Sequence, residues 1–210
     1  MSRVDDPRLI DDMDKTEAVI EQLERHGWAV QPDFVSAESV SLLRAEALEQ
    51  HAAGLFKQAG VGSGVVPSVM QTLRGDAVRW LDEAIATPVQ SDVFQSLEML
   101  RLTANRSLML GLFELEAHFA IYPPGAIYKK HVDRFRDDDA RTLSVILYLN
   151  DAWEQEDGGQ LRIEVGENET VDLTPEGGTL VAFLSDRFPH EVLPARRERV
   201  SLTGWFKRRS

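Results

Sequence analysis

Two groups of residues in this chain have types suited to binding chemistry. His131 stands two positions before Asp133 in the run Tyr128-Lys-Lys-His-Val-Asp-Arg134. At the mouth of a strand, the two-residue period points both side chains to one face. One imidazole and one carboxylate so placed make up two-thirds of the facial set that suits Fe(II). The third ligand has to come from a distant strand, and His190 in Phe188-Pro-His-Glu-Val-Leu-Pro194 fits that place. A His-x-Asp tripeptide alone is common, and Arg199 on the last strand strengthens the reading. A permanently charged, forked guanidinium deep in a barrel needs a carboxylate partner. That partner is either an internal Asp or Glu or the far carboxylate of a diacid whose other end chelates the metal. Tyr148, on an apolar strand, can donate a hydrogen bond to the same carboxylate; taken singly it is a core aromatic. His26 and His51 read as surface or interhelix residues.

The elements that must position these groups fall into two blocks. Residues 1–13 read as a frayed tail. A helix is expected from Asp14, with Glu17 three residues on as a capping box, an apolar stripe of Ala18, Val19, Ile20 and Leu23, and Gly27 as its stop. Trp28–Val30 reads as a short strand. A second helix from Ser36 places Val40, Leu43, Ala47, Leu48 and Leu55 at helical spacing. Residues 59–68 are glycine-rich, and a third helix after Asp76 would bury Val78, Trp80, Leu81 and Ile85. From about residue 111 the pattern changes to strands. Phe113, Leu115, Ala117, Phe119 and Ile121 alternate onto one face of 113–122, and further strands are expected at 143–149, 160–165, 179–184 and 199–206. The 143–149 run is continuously apolar, as in a sheet covered on both sides. The expected fold is α+β: N-terminal helices over residues 14–110 packed on a double-stranded β-helix, or jelly-roll barrel, over 111–206, in one structural unit.

Composition excludes several other chemistries. The 210 residues contain no cysteine, which removes disulfides, thiolate zinc sites, cysteine-ligated iron–sulfur clusters and cysteine nucleophiles. A net charge of −12 repels phosphate backbones, so nucleic acid and anionic membranes are disfavoured partners. The acidic start is unlike a signal peptide, and no run of about 18 apolar residues occurs. The expectation is a soluble, cytoplasmic protein. No Gly-x-Ser-x-Gly motif is present, and Gly-Val-Gly-Ser-Gly (60–64) is neither a P-loop nor a dinucleotide fingerprint.

The segments EAHFAIYPPGAIYKKHVDRF, RTLSVILYLNDAW, DGGQLRI and SDRFPHEVLPARRERVSLTGWF together resemble the Fe(II)/2-oxoglutarate prolyl hydroxylases, especially those acting on hypoxia-inducible factor and their bacterial relatives. The likeness covers 111–206 in order, and LRGDAVRWLDE extends it weakly upstream. It implies that His131, Asp133 and His190 bind Fe(II) and that Arg199 and Tyr148 hold the distal carboxylate of 2-oxoglutarate. Tyr122, Tyr128, Thr203 and Trp205 would line that pocket. Arg141 would stand at the substrate entrance, residues 60–73 would form a mobile loop closing over the substrate, and Arg74 and Asp76 would sit at its base. His118 departs from the resemblance, since the hypoxia enzymes carry an apolar residue there; it is a further substrate-site candidate.

The implied reaction consumes 2-oxoglutarate and O2, releases succinate and CO2, and hydroxylates an unactivated C–H, with ascorbate reducing stray ferric iron. A peptidyl proline of a protein or peptide is the substrate the resemblance favours. A free amino acid or other small molecule would use the same iron site. Nucleic-acid oxygenases share the triad but carry a basic face, which this charge opposes. A silent metal-binding sensor or adaptor barrel is the non-enzyme alternative, and the intact Arg199–Tyr148 pair argues against it.

Overall fold

In the computed structural model, residues 7–59, 73–134 and 140–209 are described. The expected loop at 60–73 lies, apart from Leu73, outside them. Among the described residues, eleven strands and three long helices form an α+β jelly roll with helices on one side.

The first helix, α1 (Pro7–His26), is longer than expected: it begins inside the segment read as a tail, so Asp14 is an interior residue and not a cap. Gly27 ends it in the left-handed region at φ 79°, donating its N–H to Leu23 O. After β1 (Trp28–Gln31), helix α2 (Ala37–Ala52) starts where Ser36 accepts a hydrogen bond from Ser39 N. Val40, Leu43 and Ala47 are buried as their spacing requires, whereas Leu55 lies past the helix end and is exposed.

The helix expected after Asp76 is not there. Strand β2 (Lys57–Gln58) pairs with β3 (Ala77–Trp80), a 3₁₀ turn covers Glu83–Ile85, and Trp80 and Ile85 are exposed. Val78, Leu81 and Ile85 have helical spacing, but over so short a run the offer of backbone pairing from a neighbouring strand decides the outcome. The third helix is α3 (Pro88–Leu108), capped by Thr87 and opened by Pro88, with Val93, Phe94, Leu97, Leu100 and Ala104 buried. The 14–110 segment is therefore not a purely helical support.

The remaining strands are β4 (Leu112–Tyr122), β5 (Tyr128–His131), β6 (Arg141–Tyr148), β7 (Leu161–Gly166), β8 (Glu169–Leu173), β9 (Leu180–Leu184), β10 (His190–Val192) and β11 (Arg199–Arg208). They form a seven-stranded sheet in the order β1-β9-β6-β11-β4-β3-β2 and a four-stranded sheet in the order β5-β10-β7-β8, with every pairing antiparallel. The large sheet thus recruits three strands from upstream of residue 111.

Two cores result. One lies between the helices and the large sheet, where Val19, Leu43, Leu97 and Leu100 meet Phe119, Leu147 and Leu202. The other lies between the sheets, where Ala120, Tyr122, Ile146 and Tyr148 face Leu161, Ile163 and Val192. Strand alternation assigns neighbours to opposite cores, which is why β6 reads as continuously apolar. Phe113 is the exception to its expected face. Lys207 pairs with Glu114 and Arg208 with Leu112, so Phe113 is an extra residue on β4. This bulge turns Leu112 into the core and leaves Phe113 half-exposed beneath the Arg209 guanidinium.

Candidate metal centre

The second core is incomplete: a cavity opens between the two sheets. His131, Asp133 and His190 border it, and one donor atom from each lies within 4.8 Å of the others.

The small sheet sets two of these residues. His131 ends β5, His190 begins β10, and the two are direct partners in the antiparallel register. Their rings are 4.2 Å apart. In both, Nδ1 lies within hydrogen-bonding distance of the carbonyl two residues upstream: Lys129 O at 2.8 Å for His131 and Phe188 O at 2.9 Å for His190. A carbonyl only accepts, so Nδ1 carries the proton in each ring and the Nε2 lone pair is free. Both Nε2 atoms point at Asp133 Oδ1, at 3.5 and 3.7 Å. Such separations are long for hydrogen bonds and suit donors that share a cation. Tyr128 stacks on His131 at 3.6 Å, and Phe183 meets His190 edge-on at 4.7 Å.

Asp133 is not on the strand that carries His131. β5 stops at His131, and Asp133 lies just beyond it, so strand alternation is not what orients it. Its second oxygen is held from the other sheet: Ser144 of β6 donates Oγ–H to Asp133 Oδ2 at 2.6 Å. With that proton committed, Ser185 Oγ, 2.9 Å away, is the donor to Ser144. Burial pushes the Asp133 carboxyl up, but His190, His131 and the Ser144 hydroxyl together hold it below the usual carboxylate range. Burial lowers the His190 pKa, against the opposing pull of Asp133. The set therefore presents one carboxylate and the inward-facing Nε2 atoms of two imidazoles. Ser144 was missed in the sequence; its signal is a lone polar residue within Leu-Ser-Val-Ile-Leu-Tyr-Leu.

The opposite wall belongs to the large sheet. Arg199, Ser201, Thr203 and Trp205 of β11 border the cavity, and their β4 partners in register are Tyr122, Ala120, His118 and Glu116. Arg199 is 2% exposed, with its guanidinium over the rings of Tyr122 and Tyr148 at 5.2 and 5.0 Å. It donates Nε–H to Gly159 O at 2.9 Å. Gly159 sits at φ 71°, and a Cβ there would come within 2.9 Å of Ala195 Cβ and 3.3 Å of Arg199 Cδ. Glycine is required for that approach.

Five buried side-chain polar atoms have no hydrogen-bond partner among the described residues: Arg199 Nη2, Tyr148 Oη, Trp205 Nε1 and both ring nitrogens of His118. Native interiors rarely leave such groups unmet. Here Arg199, Trp205 and His118 line one cavity, and Tyr148 packs on Arg199. A guanidinium nitrogen and a phenol beside it, both unsatisfied, match a carboxylate that enters from outside the chain. This donor set and the triad fit Fe(II) with a diacid co-substrate.

The other candidates are placed around this centre. Arg74 borders the cavity, clamps Asp76 with two hydrogen bonds of 2.6 and 2.9 Å and lies 4.6 Å over the Tyr128 ring. Asp76 is fully buried behind it and does not reach the cavity wall. Thr203 hydroxyl meets Ser201 Oγ at 3.2 Å. Arg141 lies outside the wall, 3.6 Å over Trp205 and bonded to Glu116. His26 and His51 are exposed and distant in role, the former beside Trp28 and the latter against Phe56.

Comparison with known proteins gives a consistent picture. Residues 117–207 match the family model of the 2OG-Fe(II) oxygenase superfamily. Egl nine homolog 1 of Rattus norvegicus is 31% identical over 204 residues, covering 90% of this chain and 58% of its own length; the chain thus spans little more than half of that relative. A crystal structure of a Pseudomonas putida prolyl-4-hydroxylase is 45% identical with TM-score 0.85, covering 93% of this chain and 100% of the other. A prolyl hydroxylase from Trichoplax adhaerens, solved with a peptide fragment of the hypoxia inducible factor oxygen degradation domain, is 26% identical with TM-score 0.85, covering 95% of this chain and 92% of the other.

Proposed function

This chain belongs to the 2OG-Fe(II) oxygenase superfamily, and on that premise we propose that it hydroxylates a prolyl residue of a protein or peptide, consuming 2-oxoglutarate and dioxygen. The observation that carries the reading is the meeting, in one cavity, of three convergent metal donors and an unsatisfied Arg199–Tyr148 pair. The relatives named prolyl hydroxylases supply the substrate class.

In this reading His131, Asp133 and His190 hold Fe(II). Arg199 Nη2 and the Tyr148 hydroxyl donate to the distal carboxylate of 2-oxoglutarate, while Tyr122, Tyr128, Thr203 and Trp205 shape the space around it. When bound, iron and co-substrate supply the oxidation of an unactivated C–H by dioxygen, with succinate and CO2 as the other products. The chain's own work is positioning and exclusion of water. The Nδ1–carbonyl bonds lock each imidazole with Nε2 aimed inward, and Ser144 with Ser185 steers Asp133. Three protein donors on one side leave the other side free for small ligands. Aromatic rings on both walls keep the space apolar around the charged floor. Arg74, buttressed by Asp76, presses Tyr128 onto His131 and stiffens the substrate side, and Arg141 on Trp205 stands at the entrance. Ascorbate as reductant and a cytoplasmic setting belong to the same reading, the latter supported by the cysteine-free composition.

The test is incubation of the protein with a cell lysate and Fe(II), with and without 2-oxoglutarate, scored by mass spectrometry. Prolyl peptides that gain the mass of one oxygen only with 2-oxoglutarate, with succinate released in equal amount, are expected. Succinate release coupled to a small molecule and never to a peptide would overturn the substrate assignment.

A further inference from the structure

One polar side chain on the cavity wall has no part in the scheme above. His118 of β4 lies opposite Thr203 of β11 and Trp80 of β3. It is 1% exposed and borders the cavity. Two indoles pack against its ring, Trp80 at 4.8 Å and 53° and Trp205 at 5.4 Å and 28°, and they also touch each other at 6.3 Å. Among the described residues neither ring nitrogen has a hydrogen-bond partner. Burial, helped by the positive Arg74 and Arg141, drives its pKa down to about 3, so the ring is neutral with one N–H and one lone pair. A pure packing site would hold an apolar side chain, since buried polar atoms left unmet are costly.

We propose that His118 is a specificity-determining residue whose imidazole hydrogen-bonds the backbone of the substrate segment that carries the reacting proline. This rests on the peptidyl-proline reading above. The register supports the location. Along the wall, Arg199 faces Tyr122, then Ser201 faces Ala120, then Thr203 faces His118. His118 therefore stands two register steps from the floor assigned to the carboxylate, on the side of the half-exposed Trp80. Chemistry supports the partner. A prolyl residue has no backbone N–H, so its own peptide group offers a carbonyl and needs a donor, which a neutral imidazole supplies. The two indoles, 6.3 Å from each other, pack against the ring and leave its nitrogens unmet. No atom of the described residues fixes which nitrogen carries the proton, so the ring takes the tautomer its ligand demands.

The test uses a synthetic copy of a peptide hydroxylated in the lysate experiment, plus a version in which the amide formed by the proline carbonyl is replaced by an ester, a weaker acceptor. His118→Met keeps the volume and removes the hydrogen bond, while His118→Gln retains a donor and an acceptor. His118→Met is expected to raise the peptide KM about tenfold, the size of one hydrogen bond, with the 2-oxoglutarate KM changed by less than about twofold. His118→Gln recovers most of the loss. The ester weakens binding to the wild type and leaves His118→Met unaffected. Tryptophan fluorescence of the iron-free protein follows the same binding without turnover, and thermal melts of both variants confirm their folding. An unchanged peptide KM in His118→Met, equal losses in the two variants, or an ester effect of the same size in wild type and variant would each overturn the inference. If the wild type hydroxylates no peptide, the prolyl reading fails and takes this one with it. A hydroxylated peptide indifferent to His118 defeats this inference alone.

Discussion

His131 and His190 face each other as direct register partners across β5 and β10, and each gives its Nδ1 proton to the carbonyl two residues before it. One short piece of antiparallel ladder thus fixes the spacing, the tautomer and the aim of both imidazoles before any metal arrives. Asp133 needs separate support because it lies off the strand, and Ser144 provides it from the facing sheet.

His131→Ala and Ser144→Ala should therefore weaken metal binding to different degrees. Loss of a ligand leaves two donors, and anaerobic calorimetric titration with Fe(II) should detect no tight binding to His131→Ala. Loss of Ser144 keeps all three donors but frees Asp133 to rotate, and supporting contacts of this kind are worth about 10- to 100-fold in affinity. Wild-type affinity in Ser144→Ala would mean that packing alone orients the carboxylate.

Arg199→Ala should raise the 2-oxoglutarate KM on the order of 100-fold, because truncating a buried charged partner costs about 2–5 kcal/mol. Tyr148→Phe removes one neutral donor and should raise it about tenfold. Both variants should bind Fe(II) as the wild type does, since neither residue is among the converging donors. Steady-state succinate production against 2-oxoglutarate concentration separates these outcomes from a general loss of structure.

How far the sequence could be read depended on whether the deciding interaction was local. His131, His190 and Arg199 stood out because charged and imidazole side chains on interior strand faces have few inexpensive explanations; Asp133 stood out by its spacing from His131, and Tyr148 only as a companion to Arg199. The core strands were legible from alternation or unbroken apolarity. Strand β3 was not: Ala77–Trp80 becomes a strand only because β4 offers it a partner, a fact remote in sequence. Phe113 was placed inward because a bulge cannot be read from alternation. Helix α3 was missed despite local signals, with Thr87 and Pro88 at its start and Val93, Leu97, Leu100 and Ala104 at helical spacing. Ser144 likewise carried a signal that only its eventual neighbour, Asp133, makes meaningful.

The Arg74–Asp76 pair gives a stability prediction. Asp76 is fully buried, and its carboxylate is clamped by the guanidinium, whose own pKa is raised well above the ordinary arginine value by Asp76 in spite of burial. Arg74→Ala strands a buried charge and should cost about 3–5 kcal/mol in urea unfolding. Replacing both partners, as in Arg74→Met with Asp76→Leu, should recover most of this loss, because the desolvation cost disappears with the charges. The double variant should still turn over more slowly than the wild type, since nothing then presses Tyr128 onto His131.

Acid sensitivity of the metal-free fold should trace to His118. Its folded pKa of about 3 lies below the ordinary histidine value of 6.5, so as pH falls through 6.5 the unfolded chain takes up a proton that the folded protein refuses. Stability from this residue is thus fully present above about pH 6.5 and declines as pH falls towards 3, by about 1.4 kcal/mol per unit once well below 6.5. Arg74 and Arg141 reinforce the neutral state, and Asp133 opposes it weakly. His190, whose pKa is also lowered, adds a decline of the same sign below 6.5. Urea unfolding of the wild type should therefore lose on the order of 2 kcal/mol from His118 between pH 7 and pH 5. His118→Met removes the titrating group and should show a shallower decline, with the remainder due to His190 and the carboxylates. Parallel pH profiles for the two proteins would mean that His118 is reached by water and protonates freely in the folded state, contrary to its burial against Trp80 and Trp205.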